Sequence, residues 1–351
     1  MTEGDSLLHV SGAAMLQCFS IKAGLNRYGE AGKKACSKGL QQLQDMDTYE
    51  PMDPDKLTRL EKTEALTSLV FLVENRNGLI KARAVADGSK QGKKESYKNQ
   101  DATSPTVSNE STMVTSTISA HEGRDNMTID LPGALLHALC KQHIIMLLRA
   151  DLAEMMILIQ PELCRKHIRY DSKGKAILYL KMNKVIYGML ESALAFYKKL
   201  RKDVEDYCFK VNPYDPCVAN KTTNGSQHTV IWHADDLQAS HMDPMKNTKL
   251  ALYLSGIYGN DLSIHGGKIY DYLGMQLDYS EKGSLVVAII KYLHKVIKEF
   301  PERITRYAAT PAADLLFQVQ EDGKTKLREE KRAQQFHTTV AQLLLLSSRA
   351  R

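Results

Sequence analysis

The sequence is poor in cysteine, and its cysteines show no pairing pattern. Six cysteines are spread over 351 residues, no two of them form a Cys-x-x-Cys pair, and no Cys/His group has the spacing of a zinc site. These absences exclude a small disulfide-stabilised fold and a cysteine-based zinc module. They predict reduced thiols in an intracellular protein.

Long apolar runs are also absent. No stretch reaches the length of about 18 apolar residues that a membrane-spanning helix needs. The first ten residues, MTEGDSLLHV, lack the basic start and the apolar core of a signal peptide. We therefore expect no membrane partner. The sequence also contains no internal repeat or low-complexity segment that would indicate a repeat protein.

The composition is that of a globular protein with a basic excess. Hydrophobic residues make up 43% and charged residues 25% of the chain, and the length suits two or three substructures. The net charge of +6 is compatible with a polyanionic partner such as nucleic acid, although a generic basic protein would show the same excess. Residues 81–98 are the most basic stretch, with six Lys or Arg residues against two acids.

Helical spacing of apolar residues occurs in several stretches. The clearest are residues 31–46, residues 55–67, residues 188–208 and the region beyond Lys291. In residues 106–121, Val107, Val114 and Ile118 have the spacing of one helix face. The sequence therefore predicts an amphipathic helix there, with these three residues on its apolar face.

Alternating or apolar stretches between turn residues predict strands and hairpins. They are a hairpin at 68–88 that turns at 75–78, strands at 126–131 and 177–187, a hairpin at 229–240, and a hairpin at 270–290 that turns at Lys282-Gly283. In the first hairpin, Arg83 falls on the opposite face from Ala82 and Ala84 and so points away from the packing face. The order of elements predicts an α+β fold with an antiparallel sheet backed by helices.

Three aspartates at strand ends are the strongest chemical signal. Asp130 precedes a Pro-Gly turn, and Asp235 and Asp236 occupy the tip of a hairpin. If the two strands are sheet neighbours, the three carboxylates converge, and a bound Mg²⁺ would offset their repulsion. Two such ions roughly 3.5–4 Å apart can serve a phosphoryl transfer.

Each of these residues also has a simpler interpretation. Aspartate is common in hairpin turns because its side chain bonds nearby backbone groups. His233 and His241 flank the acid pair and could contribute to a zinc site, although a histidine in an apolar strand is more often packed or hydrogen-bonded. Lys81 and Arg83 could form a solvated strand edge, or they could face the carboxylates and bind a triphosphate.

Several segments, in this order, resemble the copia-type reverse transcriptases of long-terminal-repeat retrotransposons. They are KARAVADGSKQ, DATSPTV, TIDLPGALLHA, LYLKMNKVIYGMLESALAFYKKL, NPYDPCVANK, WHADDL, DYLGMQLDY and TPAAD. The final FHTTVAQLLLLSSRAR resembles the stretch that leads toward ribonuclease H in that family. The resemblance begins near residue 20 and extends to the end of the chain, which suggests a fragment of a Pol polyprotein.

The resemblance implies a right-hand polymerase with fingers, palm and part of a thumb. It divides the chain into an N-terminal helical region (1–65), the fingers and palm (66–285), and a helical thumb- or connection-like region (286–351) truncated before ribonuclease H. It implies an RNA-directed DNA polymerase that extends a DNA primer on an RNA template. The implied substrates are deoxynucleoside triphosphates, the cofactors are two Mg²⁺ ions or Mn²⁺, and the location is a cytoplasmic particle or the nucleus.

The resemblance also implies roles for individual residues. Asp130, Asp235 and Asp236 match the catalytic, metal-binding acids. The positions that match the nucleotide-binding site are Lys81, Arg83, Leu135 and Glu191. The positions that match template and primer contacts are Tyr187, Gly188, Ala234, Leu273 and Gly274.

Three of these residues depart from the family pattern. Leu135 replaces the aromatic residue under the nucleotide sugar, Glu191 replaces a polar residue that is often Gln, and Ala234 is smaller than the usual apolar residue. A second interpretation therefore stays open: a decayed remnant that binds nucleic acid and catalyses weakly or not at all. A ribonuclease-H-type nuclease also uses clustered aspartates, but the adjacent acid pair on a hairpin argues against it.

Overall fold

The computed structural model describes residues 18–74, 78–93, 103–300, 302 and 329–349. They fall into two structural units, one made of the described residues up to 267 and the other beginning at Lys268. The strands of the first unit are β1 (Cys18–Ser20), β2 (Tyr49–Met52), β3 (Leu66–Glu74), β4 (Ile80–Ala86), β5 (Asp125–Asp130), β6 (Ile145–Arg149), β7 (Arg169–Tyr170), β8 (Ala176–Met182), β9 (Lys210–Val211), β10 (Val218–Thr223), β11 (Ser226–His233), β12 (Asp236–His241) and β13 (Ser263–Gly266). Its helices are α1 (Ile21–Asp45), α2 (Arg59–Glu64), α3 (Asn109–Glu122), α4 (Asp151–Ile159), α5 (Pro161–Cys164), α6 (Ser192–Asp206) and α7 (Pro244–Tyr258).

A six-stranded sheet in this unit has the strand order β13-β5-β12-β11-β10-β9. Each neighbouring pair in it is antiparallel. β11 buries Val230, Ile231 and Trp232, as expected for a strand in the core. α7 buries Leu250 and Leu254 and packs against β5 and β12. The antiparallel sheet backed by helices that the sequence predicts is therefore present.

A seven-stranded sheet in the same unit has the order β1-β3-β6-β8-β2, with β4 paired to β3 and β7 paired to β8. The β3–β4 pair confirms the hairpin predicted at 68–88, although residues 75–77 of its turn lie outside the described residues. Exposure alternates along β4, where Lys81 and Arg83 are exposed. α1 packs against this strand and brings Gly39 against Ala82. The two cations therefore point away from the face that α1 covers.

The helix predicted at 31–46 is part of the longer α1, whereas the helix predicted at 55–67 is confirmed only over Arg59–Glu64, as α2, and is wrong on either side of it. The chain there forms a short 3₁₀ turn, Pro54–Lys56, then α2, and then enters β3. Thr58 is the reason for the interruption, because its backbone is extended and it caps α2 in a reciprocal box with Glu61. A capping residue of this kind ends any helix that precedes it.

The apolar face predicted for residues 106–121 is also wrong. α3 forms, but it buries Thr112, Ser116 and Ser119, whereas Val114 is 58% exposed. Ser108 caps the helix through the Ser111 amide. Val107 therefore lies outside the helix, and its burial does not define a helix face.

The predicted strand at 177–187 and helix at 188–208 are each shorter in the structure, as β8 and α6. A loop separates them because Gly188 has a φ of +90°, which no continuous helix accepts. The Ser192 hydroxyl closes this loop by donating to the Ile186 carbonyl oxygen at 2.5 Å.

The second unit contains a small antiparallel sheet and two helices. Its elements are β14 (Ile269–Tyr272), β15 (Met275–Asp278), β16 (Val286–Ala288), α8 (Ile290–Glu299) and α9 (Glu330–Arg349). The hairpin predicted at 270–290 is a three-stranded meander, because Leu273 and Gly274, with φ of +49° and +79°, form an additional two-residue turn. Helix beyond Lys291 is confirmed in α8 and α9. Across the described ranges of the chain, no helix is long and apolar enough to cross a membrane.

Candidate active site

Backbone pairing brings the three acids to one end of the six-stranded sheet. β5 and β12 are neighbours, and their register sets Asp130 directly opposite Asp236. The Leu131 amide donates to the Asp235 carbonyl oxygen at 3.2 Å, which ties the end of β5 to the hairpin tip. Convergence of the three acids was predicted on the condition that the two strands are sheet neighbours, and β5 and β12 are neighbours.

The tip of the β11–β12 hairpin is a two-residue turn. His233 pairs with Asp236, so Ala234 and Asp235 alone connect the strands. Ala234 has a φ of +54°, a region that glycine tolerates and alanine disfavours. Such two-residue turns match the twist of antiparallel strands, which explains why the chain adopts a strained residue here.

Desolvation and mutual repulsion both disfavour the charged forms of the acids at this end. Desolvation by the surrounding protein raises the pKa of Asp236 to about 6, although its side chain still reaches solvent, and the charges of Asp235 and Asp130 act in the same direction. Burial and the Asp235 charge also raise the pKa of Asp130, while Lys81 and His265 lower it. Carboxylates in this state favour a nearby cation.

The donor chemistry of this sheet end fits a hard divalent cation, because carboxylate oxygens are the ligands that Mg²⁺ prefers. The backbones of the three acids converge, but no three His, Cys, Asp or Glu side chains within the described ranges are grouped closely enough to hold a metal ion. A metal would therefore require the carboxylates to turn toward each other. The same finding gives no support to a zinc site at His233 and His241.

Two cations of β4 approach the acids. Lys81 is close enough to lower the pKa of Asp130. The Arg83 guanidinium lies 5.8 Å from the centre of the Tyr187 ring, a cation–π contact. Burial raises the pKa of Tyr187, and the charge of Asp235 raises it further. Lys81, Arg83 and Tyr187 thus belong to the same region as the acids.

A close backbone contact fixes β4 beside Tyr187. The Ala86 amide donates to the Tyr187 carbonyl oxygen at 2.8 Å. A Cβ added at Gly188 would overlap the Ala86 carbonyl oxygen, and one added at Gly88 would overlap the Gly188 carbonyl oxygen. The Gln91 side chain accepts from the Leu190 amide at 3.1 Å. Gly88 and Gln91 were not among the predicted site residues. The glycine in VADGSKQ is a sequence feature that could have indicated a close backbone contact at this position.

The other predicted site residues lie in three places. Leu135 is half-buried in the 3₁₀ turn Ala134–His137, which follows β5. Glu191 precedes α6, and its carboxylate accepts from the Cys140 thiol at 3.8 Å. Burial and the Glu191 charge raise the pKa of Cys140 to about 11, so the thiol stays protonated. Leu273 and Gly274 form the β14–β15 turn of the second unit.

Comparison with protein-family models identifies one family. A family model described as "Reverse transcriptase (RNA-dependent DNA polymerase)" matches residues 72–313. Similar solved structures include telomerase from Candida albicans with a TWJ fragment of telomeric RNA (9% identity, TM-score 0.36) and apo telomerase from Candida tropicalis (8% identity, TM-score 0.38). The matches cover 73% of this chain and 53% and 52% of those chains, so the chain spans about half of their length. No curated protein matches the sequence.

Proposed function

Because the chain belongs to the reverse transcriptase (RNA-dependent DNA polymerase) family, we propose that it is an RNA-directed DNA polymerase of copia type. It extends a DNA primer on an RNA template and uses deoxynucleoside triphosphates. The observation that carries the proposal is the β5–β12 register, which sets Asp130 opposite Asp236 and beside the hairpin tip that holds Asp235. Origin from a Pol polyprotein and a place in a cytoplasmic particle or the nucleus belong to the same proposal.

The proposed reaction is a nucleotidyl transfer. The primer 3′-hydroxyl oxygen attacks the α-phosphorus, a P–O bond to the primer forms, and pyrophosphate leaves with the electrons of the broken bond. Asp130, Asp235 and Asp236 would hold two Mg²⁺ ions, with Mn²⁺ as an alternative. Bound ions of this kind promote deprotonation of the hydroxyl and neutralise the developing charge. The raised pKa values of Asp130 and Asp236 support this assignment, because the acids repel each other without a cation.

The proposed nucleotide site lies between β4 and the acids. Lys81 and Arg83 contact the triphosphate, since guanidinium and ammonium groups are strong donors to phosphate oxygens. The electrostatic effect of Lys81 on Asp130 and the position of Arg83 over the Tyr187 ring support this placement. Leu135 lies under the sugar and Glu191 borders the nucleotide in this proposal.

We also propose a right-hand arrangement for the polymerase. The six-stranded sheet is the palm, the β3–β4 hairpin belongs to the fingers, and residues 286–351 contribute to a thumb or connection. Template and primer contacts are assigned to Tyr187, Gly188, Ala234, Leu273 and Gly274. Most of this binding goes through phosphates, so its affinity falls as salt increases.

A second candidate function is a catalytically weak, nucleic-acid-binding remnant of such a polymerase. Glu191 favours it, because a carboxylate beside a triphosphate repels it, and in the structure this carboxylate contacts the Cys140 thiol instead. Leu135 favours it as well, since it offers no flat ring to the sugar. The intact set of three acids opposes it.

Primer extension separates the two candidates. The parent chain and Asp235→Asn are given a DNA primer on an RNA template with Mg²⁺, and binding of the template–primer is measured in parallel. The proposal predicts extension by the parent, none by Asp235→Asn, and equal binding by both. Binding without extension by the parent would reject the polymerase and leave the remnant.

A further inference from the structure

The turn that carries Leu135 is fixed at both ends. We call residues 131–138 the 131–138 turn. At its start the Leu131 amide donates to the Asp235 carbonyl oxygen at 3.2 Å, and at its end the Val185 amide donates to the Ala138 carbonyl oxygen at 3.0 Å. Inside it, the Leu136 amide donates to Gly133 and the Ala138 amide donates to Leu135, at 2.8 and 3.0 Å. Backbone hydrogen bonds therefore fix both ends of the turn and also shape its interior.

His137 lies in the middle of this turn, and its ring packs edge-to-face against the Tyr258 ring of α7, with centroids 4.9 Å apart and planes at 71°. Burial lowers the pKa of His137 to about 4, and Lys199 adds to the effect. The ring is therefore neutral at physiological pH.

Tyr258 is itself held by a partly buried polar cluster. Its hydroxyl donates to the Asp203 carboxylate of α6 at 2.5 Å, and Lys199 pairs with the same carboxylate at 2.8 Å. The Lys199 ammonium also lies 4.7 Å from the centre of the Tyr258 ring. Since Tyr258 is only 3% exposed, this cluster gives His137 a rigid surface on α6 and α7.

We propose that His137 is a positioning residue that holds the 131–138 turn, and with it Leu135, at a fixed place under the sugar of the incoming nucleotide. His137 contacts neither the acids nor the substrate and acts through Leu135. The inference rests on the proposed polymerase function. It adds that selection of the nucleotide depends on Tyr258 and Asp203, two residues on helices behind the sheet.

The test compares three variants for nucleotide use. His137→Ala removes the anchor, and Tyr258→Phe removes the hydroxyl that donates to Asp203 while keeping the ring. Tyr253→Phe is the matched control, because it removes a hydroxyl that donates to the Asp203 backbone oxygen at 2.9 Å. We expect His137→Ala to raise the KM for deoxynucleotides roughly tenfold with a much smaller change in kcat, and to weaken discrimination against ribonucleotides. Tyr258→Phe shifts the KM and the sugar discrimination in the same direction, and Tyr253→Phe leaves these two quantities unchanged.

Amide hydrogen exchange supplies a readout that needs no activity. Faster exchange at Leu136 and Ala138 in His137→Ala, but not in Tyr253→Phe, shows that His137 anchors the turn. Unchanged exchange overturns the proposal. Faster exchange with an unchanged KM and unchanged sugar discrimination overturns it as well, because the anchor would then be structural only. If the parent chain extends no primer, the polymerase proposal fails separately, and the role of His137 in nucleotide selection fails with it.

Discussion

The two ends of the β5–β12 strand pair differ in whether their polar side chains are stabilised by the surrounding protein. At one end Asp130 faces Asp236, and desolvation and repulsion raise the pKa of both. At the other end Asp125 faces His241, and both side chains are hydrogen-bonded. There the Asn247 amide donates to the Asp125 carboxylate at 2.7 Å, and its oxygen lies 3.0 Å from His228 Nε2.

This difference separates a site that stabilises the fold from a site whose charges oppose it. Buried polar groups at the Asn247 end are largely satisfied by the protein, although His228 Nδ1 and His241 Nε2 find no partner among the described residues. The acids at the other end lower the stability of the protein on its own, as expected for groups arranged for binding and chemistry. Mutations at the two ends should therefore have opposite consequences.

The largest expected effect is on catalysis at the acid end. Asp130→Asn should lower the rate of primer extension by on the order of 10²–10³-fold, because it removes one proposed metal ligand. Its free energy of unfolding should not fall, since the substitution removes a charge that the folded state disfavours. Denaturant unfolding and extension rates are measured on the same preparations. Asp261→Asn, the same change at an exposed position, is the control. A lower free energy of unfolding for Asp130→Asn would contradict the proposed difference between the two ends.

The opposite result is expected at the Asn247 end. Asn247→Ala leaves Asp125 and His228 without their side-chain partner and should lower the free energy of unfolding by about 2–4 kcal/mol. The rate of primer extension per folded molecule should stay at the level of the parent chain. Thr248→Ala, next to it on the exposed side of α7, should change stability by less than about 0.5 kcal/mol. Equal losses in the two variants would mean that this end does not stabilise the fold.

The two ends should also respond to pH with opposite signs. The pKa of Asp236 is raised to about 6 in the folded protein, so its contribution to stability is lost as pH rises from about 4 to about 6. The pKa of His228 is lowered by burial to about 3, so its contribution is lost as pH falls below about 6.5. Without divalent cations, Asp236→Asn should gain stability relative to the parent between pH 4 and 6, as measured by denaturant unfolding at each pH. A constant difference across that range would contradict the assignment.

The smallest effect concerns the strained turn beside the acids. Ala234→Gly should raise the free energy of unfolding by about 1 kcal/mol, because glycine tolerates the positive φ. Asn224 has a φ of +52° in the β10–β11 turn, and asparagine tolerates this region. Asn224→Gly should therefore gain less. Equal gains would show that the Ala234 backbone carries no special strain.

The sequence was sufficient for features that depend on local patterns. Alternation along residues 126–131 and the hairpin at 229–240 were enough to predict two strand ends bearing acids, and the structure pairs them. Asp236, predicted at the hairpin tip with Asp235, is instead the first residue of β12. The exposed face of β4 with Lys81 and Arg83 followed from alternation in the same way.

Other features depend on contacts between distant segments and could not be predicted. The buried face of α3 is set by the cap at Ser108 and by the elements around the helix, which favour small polar side chains over Val114. The contact of Gly88 with Gly188 joins residues a hundred positions apart. The packing of His137 on Tyr258 is equally remote in sequence. The periodicity of the local sequence does not indicate any of these contacts.

The most direct test of the central claim is the titration of the Asp236 side-chain carboxyl resonance by NMR, with and without Mg²⁺. The account holds that the converging acids repel each other until a divalent cation binds. It predicts an apparent pKa of about 6 without Mg²⁺ and a fall to about 4 or below with it. An apparent pKa that is the same in both conditions would contradict the account.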